Sequence, residues 1–253
     1  QIAGTYNVIF EAPGYTSQTI SVTLTNNATT TLNVTMVPTT SVPTASDATI
    51  CTGQTAALSA TGTGTIRWYN SVSATTPLAT AASYTTLALT SNTSYWVERE
   101  VTPANVGPAT VSGTGTANAS LANRYLVFNC TTPTKLKSVM ISTNIVGQLF
   151  VELQNSSGVM LESKVIRLSA SGAQDIELDF FLPAQNGLRL VSRQISNLGV
   201  TGTINLTCAT SGITYPYTNG TVTITGNSGA GTFFQFFNWK FGPEKSNRDE
   251  VVV

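Results

Sequence analysis

Apolar residues recur at every second position in short runs along most of the chain, and Gly, Asn, Ser or Pro ends each run before it reaches helical length. Tyr6, Val8 and Phe10 share one face of a first strand, Ile20, Val22 and Leu24 one face of a second, and Leu32, Val34 and Met36 one face of a third. Ala12-Pro13-Gly14-Tyr15 and Asn26-Asn27-Ala28 read as the turns between them. Ala56, Leu58 and Ala60 alternate next, followed by Ile66 and Trp68 and then by Leu87 and Leu89. From 105 to 241 the pattern returns repeatedly, from Tyr125-Val127 to Phe233–Phe241, and no window there has a 3.6-residue period. A strand with one apolar face must bury it against another layer, so the expected fold class is all-β, as tandem antiparallel β-sandwiches. The 253 residues leave room for two or three such domains.

Charge and residue choice then exclude most chemistry. Charged residues make up 9% of the chain and the formal net charge is zero, where an ordinary soluble domain carries about 25% charged residues. There is no basic stripe for nucleic acid or an anionic membrane surface, and no apolar run is long enough for membrane insertion. Histidine is absent, which removes the commonest general base, the commonest metal ligand and every Ser-His or Cys-His pair. Cys51, Cys130 and Cys208 are too far apart for a zinc motif. Carboxylate chemistry such as glycoside hydrolysis survives, but it needs two acids converging in a cleft with one pKa raised. Glu11, Asp47, Glu98, Glu100, Glu152, Glu162, Glu244, Asp249 and Glu250 are scattered, and no spacing pairs them. No catalytic, cofactor-binding or metal-binding residue is assigned, and the chain is expected not to be an enzyme.

Two segments carry resemblances. G-T-Y-N-V-I-F-E-A-P-G-Y, Gly4 to Tyr15, with the strands that follow, resembles the closing half of a carboxypeptidase regulatory-like domain, a transthyretin-like β-sandwich. The front half of that pattern is absent, and the resemblance implies a structural role. Residues 1–37 are therefore a partial sandwich and both chain ends read as cuts. P-T-T-S-V-P at 38–43 is a Pro-bounded linker. C-T-G-Q-T-A-A-L-S-A-T-G (Cys51 to Gly62), R-W-Y (Arg67 to Tyr69), L-A-T (Leu78 to Thr80) and S-Y-W-V-E (Ser94 to Glu98) together resemble the immunoglobulin-like repeats of very large proteins that gliding bacteria secrete through the type IX pathway. In that fold Trp68 is the buried strand-C tryptophan, and Tyr95 takes the tyrosine-corner position. The closing strand of such repeats does not follow Glu100. Its pattern stands at the end of the chain, from Ser246 through Arg248 to Val253. The resemblance thus implies an Ig-like sandwich of 44–104 plus 242–253, with 105–241 inserted as a jelly-roll-like sandwich. The family's partner for Cys51 would lie near Glu244 or Lys245, where no Cys stands, so Cys51 is expected to be a free thiol.

Three clusters remain as candidate sites. Asp175, Glu177 and Asp179 share one strand face and read as a solvent face, with a calcium site as the alternative. In the run Phe233–Phe241, treated as one strand, Phe233, Gln235, Phe237 and Trp239 face one way and Phe234, Phe236 and Asn238 the other, which suits a central strand between layers. Trp239 with Tyr215 and Tyr217 could alternatively form a sugar-stacking platform, because a pyranose face pairs with an aromatic ring. Cys130 and Cys208, both in strand patterns of the insert, are expected to form a disulfide in an oxidising compartment. The functional expectation is a set of non-catalytic structural or adhesive modules of a secreted or cell-surface protein. Their partners would be other modules of the same larger chain. The alternative is a carbohydrate-binding module that takes a surface glycan.

Overall fold

A computed structural model describes residues 3–12, 14–111, 124–194, 204–229 and 231–253, and every regular element among them is a β-strand. The strands are β1 (Gly4–Phe10), β2 (Gln18–Leu24), β3 (Thr44–Ala45), β4 (Ala57–Thr61), β5 (Thr65–Tyr69), β6 (Ser83–Thr85) and β7 (Ser94–Val101). They continue with β8 (Tyr125–Cys130), β9 (Thr134–Thr143), β10 (Gly147–Gln154), β11 (Met160–Leu168), β12 (Gly172–Leu182) and β13 (Leu188–Gln194). The last are β14 (Cys208–Ala209), β15 (Tyr217–Thr218), β16 (Val222–Asn227), β17 (Phe233–Phe234), β18 (Phe237–Phe241), β19 (Glu244–Lys245) and β20 (Asp249–Val252). The chain divides into two compact units. The larger holds residues 1–13, 17–31 and 103–242, and the smaller holds 14–16, 32–102 and 243–253.

The smaller unit is a sandwich of β3-β4-β6 against β5 and β7, with β19 and β20 on the far side of β7. Its core contains Ala56, Leu58, Ala60, Ile66, Trp68, Tyr95, Val97 and Val251. Trp68 is fully buried and its indole N–H donates to the Ala81 carbonyl at 3.1 Å, which satisfies the one polar group of that side chain. The Tyr95 ring packs on Tyr84 at 5.5 Å between centroids. β20 runs antiparallel to β7, with Asp249 opposite Val97 and Val251 opposite Tyr95. Val251 lies in the core and Val253 packs against it, as the two-residue period of a strand demands.

The larger unit packs the sheet β11-β10-β13-β8-β16-β15 against β12-β9-β18, with the pair β14-β17 completing the layer structure. Leu126, Phe128, Leu136, Ile141, Leu149, Val151, Leu188 and Leu190 are fully buried between the sheets. β12 bulges between Glu177 and Phe180, where Asp179 has a φ of 59°. Side chains of β11 cap the backbone there: Phe181 N–H donates to Glu162 at 2.9 Å, and Lys164 donates to the Leu178 carbonyl at 3.3 Å. This seals one side of the sandwich.

Two strand expectations need correction. Residues 32–36 form no strand. The chain just beyond them ladders instead with 14–16, through Thr16 N–H to the Val37 carbonyl and Thr39 N–H to the Gly14 carbonyl, both at 2.8 Å. Alternation shows which residues can share a face but not whether a neighbouring strand is there to take the hydrogen bonds. β1 and β2 form a hairpin of their own, with Tyr6 opposite Val22 and Val8 opposite Ile20, and that hairpin belongs to the larger unit. The aromatic run is likewise not one strand. Gln235, at a φ of 60°, breaks it into β17 and β18, which belong to different sheets. Both sets of rings therefore reach one core, and Phe233, Phe234, Phe236, Phe237, Trp239 and Phe241 are all buried.

Candidate functional site

The densest polar constellation lies on the outer face of β5 and β7 in the smaller unit. Strand parity places it there: with Ile66, Trp68, Tyr95 and Val97 turned to the core, Arg67, Tyr69, Glu98 and Glu100 must face outward. β19 and β20 bring Lys245 and Arg248 alongside. Between Lys245 opposite Glu100 and Asp249 opposite Val97, Ser246, Asn247 and Arg248 stand against two residues of β7, Arg99 and Glu98. This one-residue bulge is anchored by Ser246, whose N–H donates to the Arg99 carbonyl and whose hydroxyl accepts from Arg99 N–H.

Arg248 fills the face. Its Nε donates to Glu98 at 3.0 Å, Nη1 to the Ser71 and Val72 carbonyls at 2.9 and 2.8 Å, and Nη2 to the Ala74 carbonyl at 2.7 Å. Its guanidinium lies over the Tyr69 ring, 3.5 Å from the centroid. Glu98, 5% exposed, also accepts from the Tyr69 hydroxyl at 2.7 Å and lies 3.5 Å from the Lys245 ammonium. Arg67 and Lys245 both pair with Glu100, at 3.0 and 3.7 Å. Burial opposes the charge on Glu98, but the hydrogen bonds from Tyr69 and Arg248 and the nearby Lys245 outweigh it and hold the carboxyl below its ordinary pKa. Burial, then the hydrogen bond to Glu98, push the Tyr69 phenol up. A general acid needs the opposite shift. The arrangement keeps Glu98 ionised and binds a strand, a turn and a phenol to it.

This cluster escaped sequence reasoning. Glu98 and Arg248 were visible separately, one in S-Y-W-V-E and one before the terminal valines, and the usable signal was that both belong to neighbouring strands of one repeat pattern.

The sequence-predicted residues lie elsewhere. Trp239 is fully buried, edge-on to Phe128 at 5.0 Å, with its N–H donating to the Phe236 carbonyl. Tyr215 and Tyr217 are half-buried and meet at 82°, both against Phe233, so the three rings make no stacking platform. The Tyr215 hydroxyl donates to the Thr232 carbonyl, and burial pushes its pKa up to about 12. These rings close the core of the larger unit, and there the apolar area they bury outweighs presentation to solvent.

The Cys130–Cys208 disulfide is also corrected. The Cys130 thiol donates to the Thr132 carbonyl at 3.0 Å, and Cys208 contacts the Leu206 carbonyl at 3.9 Å. Cys208 is opposite Phe234, whose ring carries Arg124 at 4.9 Å, just before the start of β8. Cys130 ends β8. A strand rise of about 3.3 Å per residue separates the two ends by roughly 20 Å, beyond the reach of about 7 Å between Cα atoms that a disulfide allows. Cys51 is an exposed thiol. Asp175 pairs with Lys240 at 2.6 Å and Asp179 with Lys135 at 3.0 Å, so Lys135 of the neighbouring β9 and Lys240 of β18 beyond it occupy that carboxylate row. Among the described residues no group of three or more Cys, Asp or Glu side chains is arranged to hold a metal ion.

Residues 38–110 match the family model described as "Ig-like domain CHU_C associated". The matched segment includes β3 to β7 and stops before β19 and β20, so Arg248 lies outside it. No curated protein and no solved structure matches the chain.

Proposed function

We propose that the chain is a set of non-catalytic structural and adhesive modules from a larger secreted or cell-surface protein. On this reading 44–104 and 242–253 form one Ig-like repeat of the type IX-secreted kind. The jelly-roll-like domain 105–241 is inserted before the repeat's closing strand, and a partial carboxypeptidase regulatory-like segment precedes it. Other modules of the same chain are its partners. The observation that carries the reading is Arg248: one side chain joins the returning strand to Glu98 of β7, the Tyr69 ring and the 71–74 turn. Charge in this molecule is spent on keeping strands together, as a load-transmitting module requires. Both carboxylates with a resolved shift, Glu98 and Asp179, are displaced downward, away from general-acid behaviour.

The test is force spectroscopy of the full chain between reference domains. Arg248→Ala is expected to lower the unfolding force of one event, that of the smaller unit, and leave the other unchanged. Turnover of a polysaccharide or peptide by the wild-type chain, abolished by a single Glu or Asp substitution, would overturn the reading.

A further inference from the structure

Sheet edges offer unpaired N–H and C=O groups to any strand that arrives, and most are blunted by shortness, proline or bulges. One edge of the six-stranded sheet follows that rule, since β15 is Tyr217–Thr218 alone and follows Pro216. The other edge among the described strands, β11, follows it only at its start, where Leu161 is a bulge against Leu153 and Gln154 of β10. It is nine residues long, contains no proline, and ladders with β10 without a break from Glu162 to Leu168. Leu161 and Val165 stand on it 45% and 52% exposed.

The sequence of this edge is self-complementary. Two antiparallel copies related by a two-fold axis must have the axis pass beside one residue, so the registers can be enumerated. Centred on Glu162, the edge sets carboxylate against carboxylate, and centred on Lys164 it sets ammonium against ammonium, both unfavourable. Centred on Leu161 or Val165, it leaves the charges opposite uncharged residues. Centred on Ser163, each Glu162 meets Lys164 of the second copy, and each Val165 comes to the bulge at Leu161 of the second copy. Val165 is beside Phe150 on β10, so this register brings an apolar residue to the junction. Glu162 and Lys164 keep their bonds to Phe181 N–H and the Leu178 carbonyl, because a carboxylate and an ammonium each have further hydrogen-bonding capacity.

We propose that β11 is a homotypic edge, through which two copies of this chain pair antiparallel about Ser163 and join their six-stranded sheets. The proposal does not rest on the non-catalytic reading. A strictly monomeric chain without turnover would refute it and leave that reading standing.

Cysteine cross-linking reads the register directly. In a Cys51→Ser background, residues paired at the axis have Cα atoms about 4.5–5.5 Å apart, within disulfide range, whereas the two copies of residue 167 lie about 27 Å apart at 3.4 Å per residue. Ser163→Cys is expected to give mainly covalent dimer on mild oxidation of concentrated protein, and Arg167→Cys to stay monomeric on a non-reducing gel. Equal cross-linking at both positions, or none at 163, would overturn the proposal. In sedimentation velocity, Glu162→Lys should abolish the concentration-dependent dimer and Glu162→Lys with Lys164→Glu should restore it. Identical behaviour of the single and double variants would count against the register.

Discussion

The outer face of β5, β7 and β20 and the outer face of β9, β12 and β18 are built from the same parts, carboxylates paired with Lys or Arg from elsewhere on the sheet. They differ in burial. Glu98 and Arg248 have side chains 6% and 14% exposed, while Asp175 and Lys240 are 44% and 37% exposed. On the first face Glu98 and Arg248 each have several partners, and the acceptors include three backbone carbonyls of the 71–74 turn. On the second, Lys240 reaches past Ser138 to a single carboxylate. A desolvated charge left without its partner is costly, whereas an exposed one is re-solvated by water. An ion pair's distance therefore says less about its structural weight than its surroundings do.

Four measurements break or sharpen this contrast. The largest effect is expected for Glu98→Ala, which strands the Arg248 charge. It should cost about 3–5 kcal/mol, read as lost hydrogen-exchange protection in β7 peptides with β9 peptides unchanged. Equal loss in both would show that the cluster does not act locally. Next is Gly64→Ala. A Cβ at Gly64, φ 95°, would lie 2.3 Å from the Glu100 carbonyl oxygen, so β7 must shift at the end that carries Glu100, at about 1–3 kcal/mol. Thermal unfolding would expose a neutral outcome.

Acid is the third probe. The pKa of Glu98 is lower folded than unfolded, so its stabilisation is complete above the unfolded value, about 4.3, and is lost as pH falls through the folded value. Asp179 is shifted the same way, mainly by its hydrogen bond from Lys135, but solvent screens that exposed pair. Protection in β7 is expected to fall before protection in β9 on acidification, and Glu98→Gln should remove the difference. The smallest effect is Asp175→Asn, expected within about 1 kcal/mol by chemical denaturation. A larger loss would mean that the exposed ladder is coupled to the core.

Much of this was legible residue by residue. Alternation of Ile176, Leu178 and Phe180 with Asp175, Glu177 and Asp179 named the buried face correctly, because a strand has one spatial period and one apolar side; in Tyr125-Val127 it named the wrong face, since Leu126 and Phe128 are the buried residues. Trp68 and Val251 could be placed from their repeat pattern. The break at Gln235 left no mark, since a positive φ at a non-glycine residue is imposed by the strands on either side. Tyr215, Tyr217 and Trp239 offered the right chemistry for stacking, but ring type carries no information about angle or exposure.

By itself the sequence determined the fold class, the parity of strands with one polar face such as β12 and the lack of histidine chemistry, because these depend on residue identity and on spacings of one or two positions. Tertiary structure alone decided that Cys130 and Cys208 stand at different ends of β8, that the aromatic run divides between two sheets, and that Arg248 meets Glu98, 150 positions away in the chain. The physical reason is that pairing partners in a sheet are set by which backbones lie side by side, and in this chain the decisive neighbours are far apart in sequence.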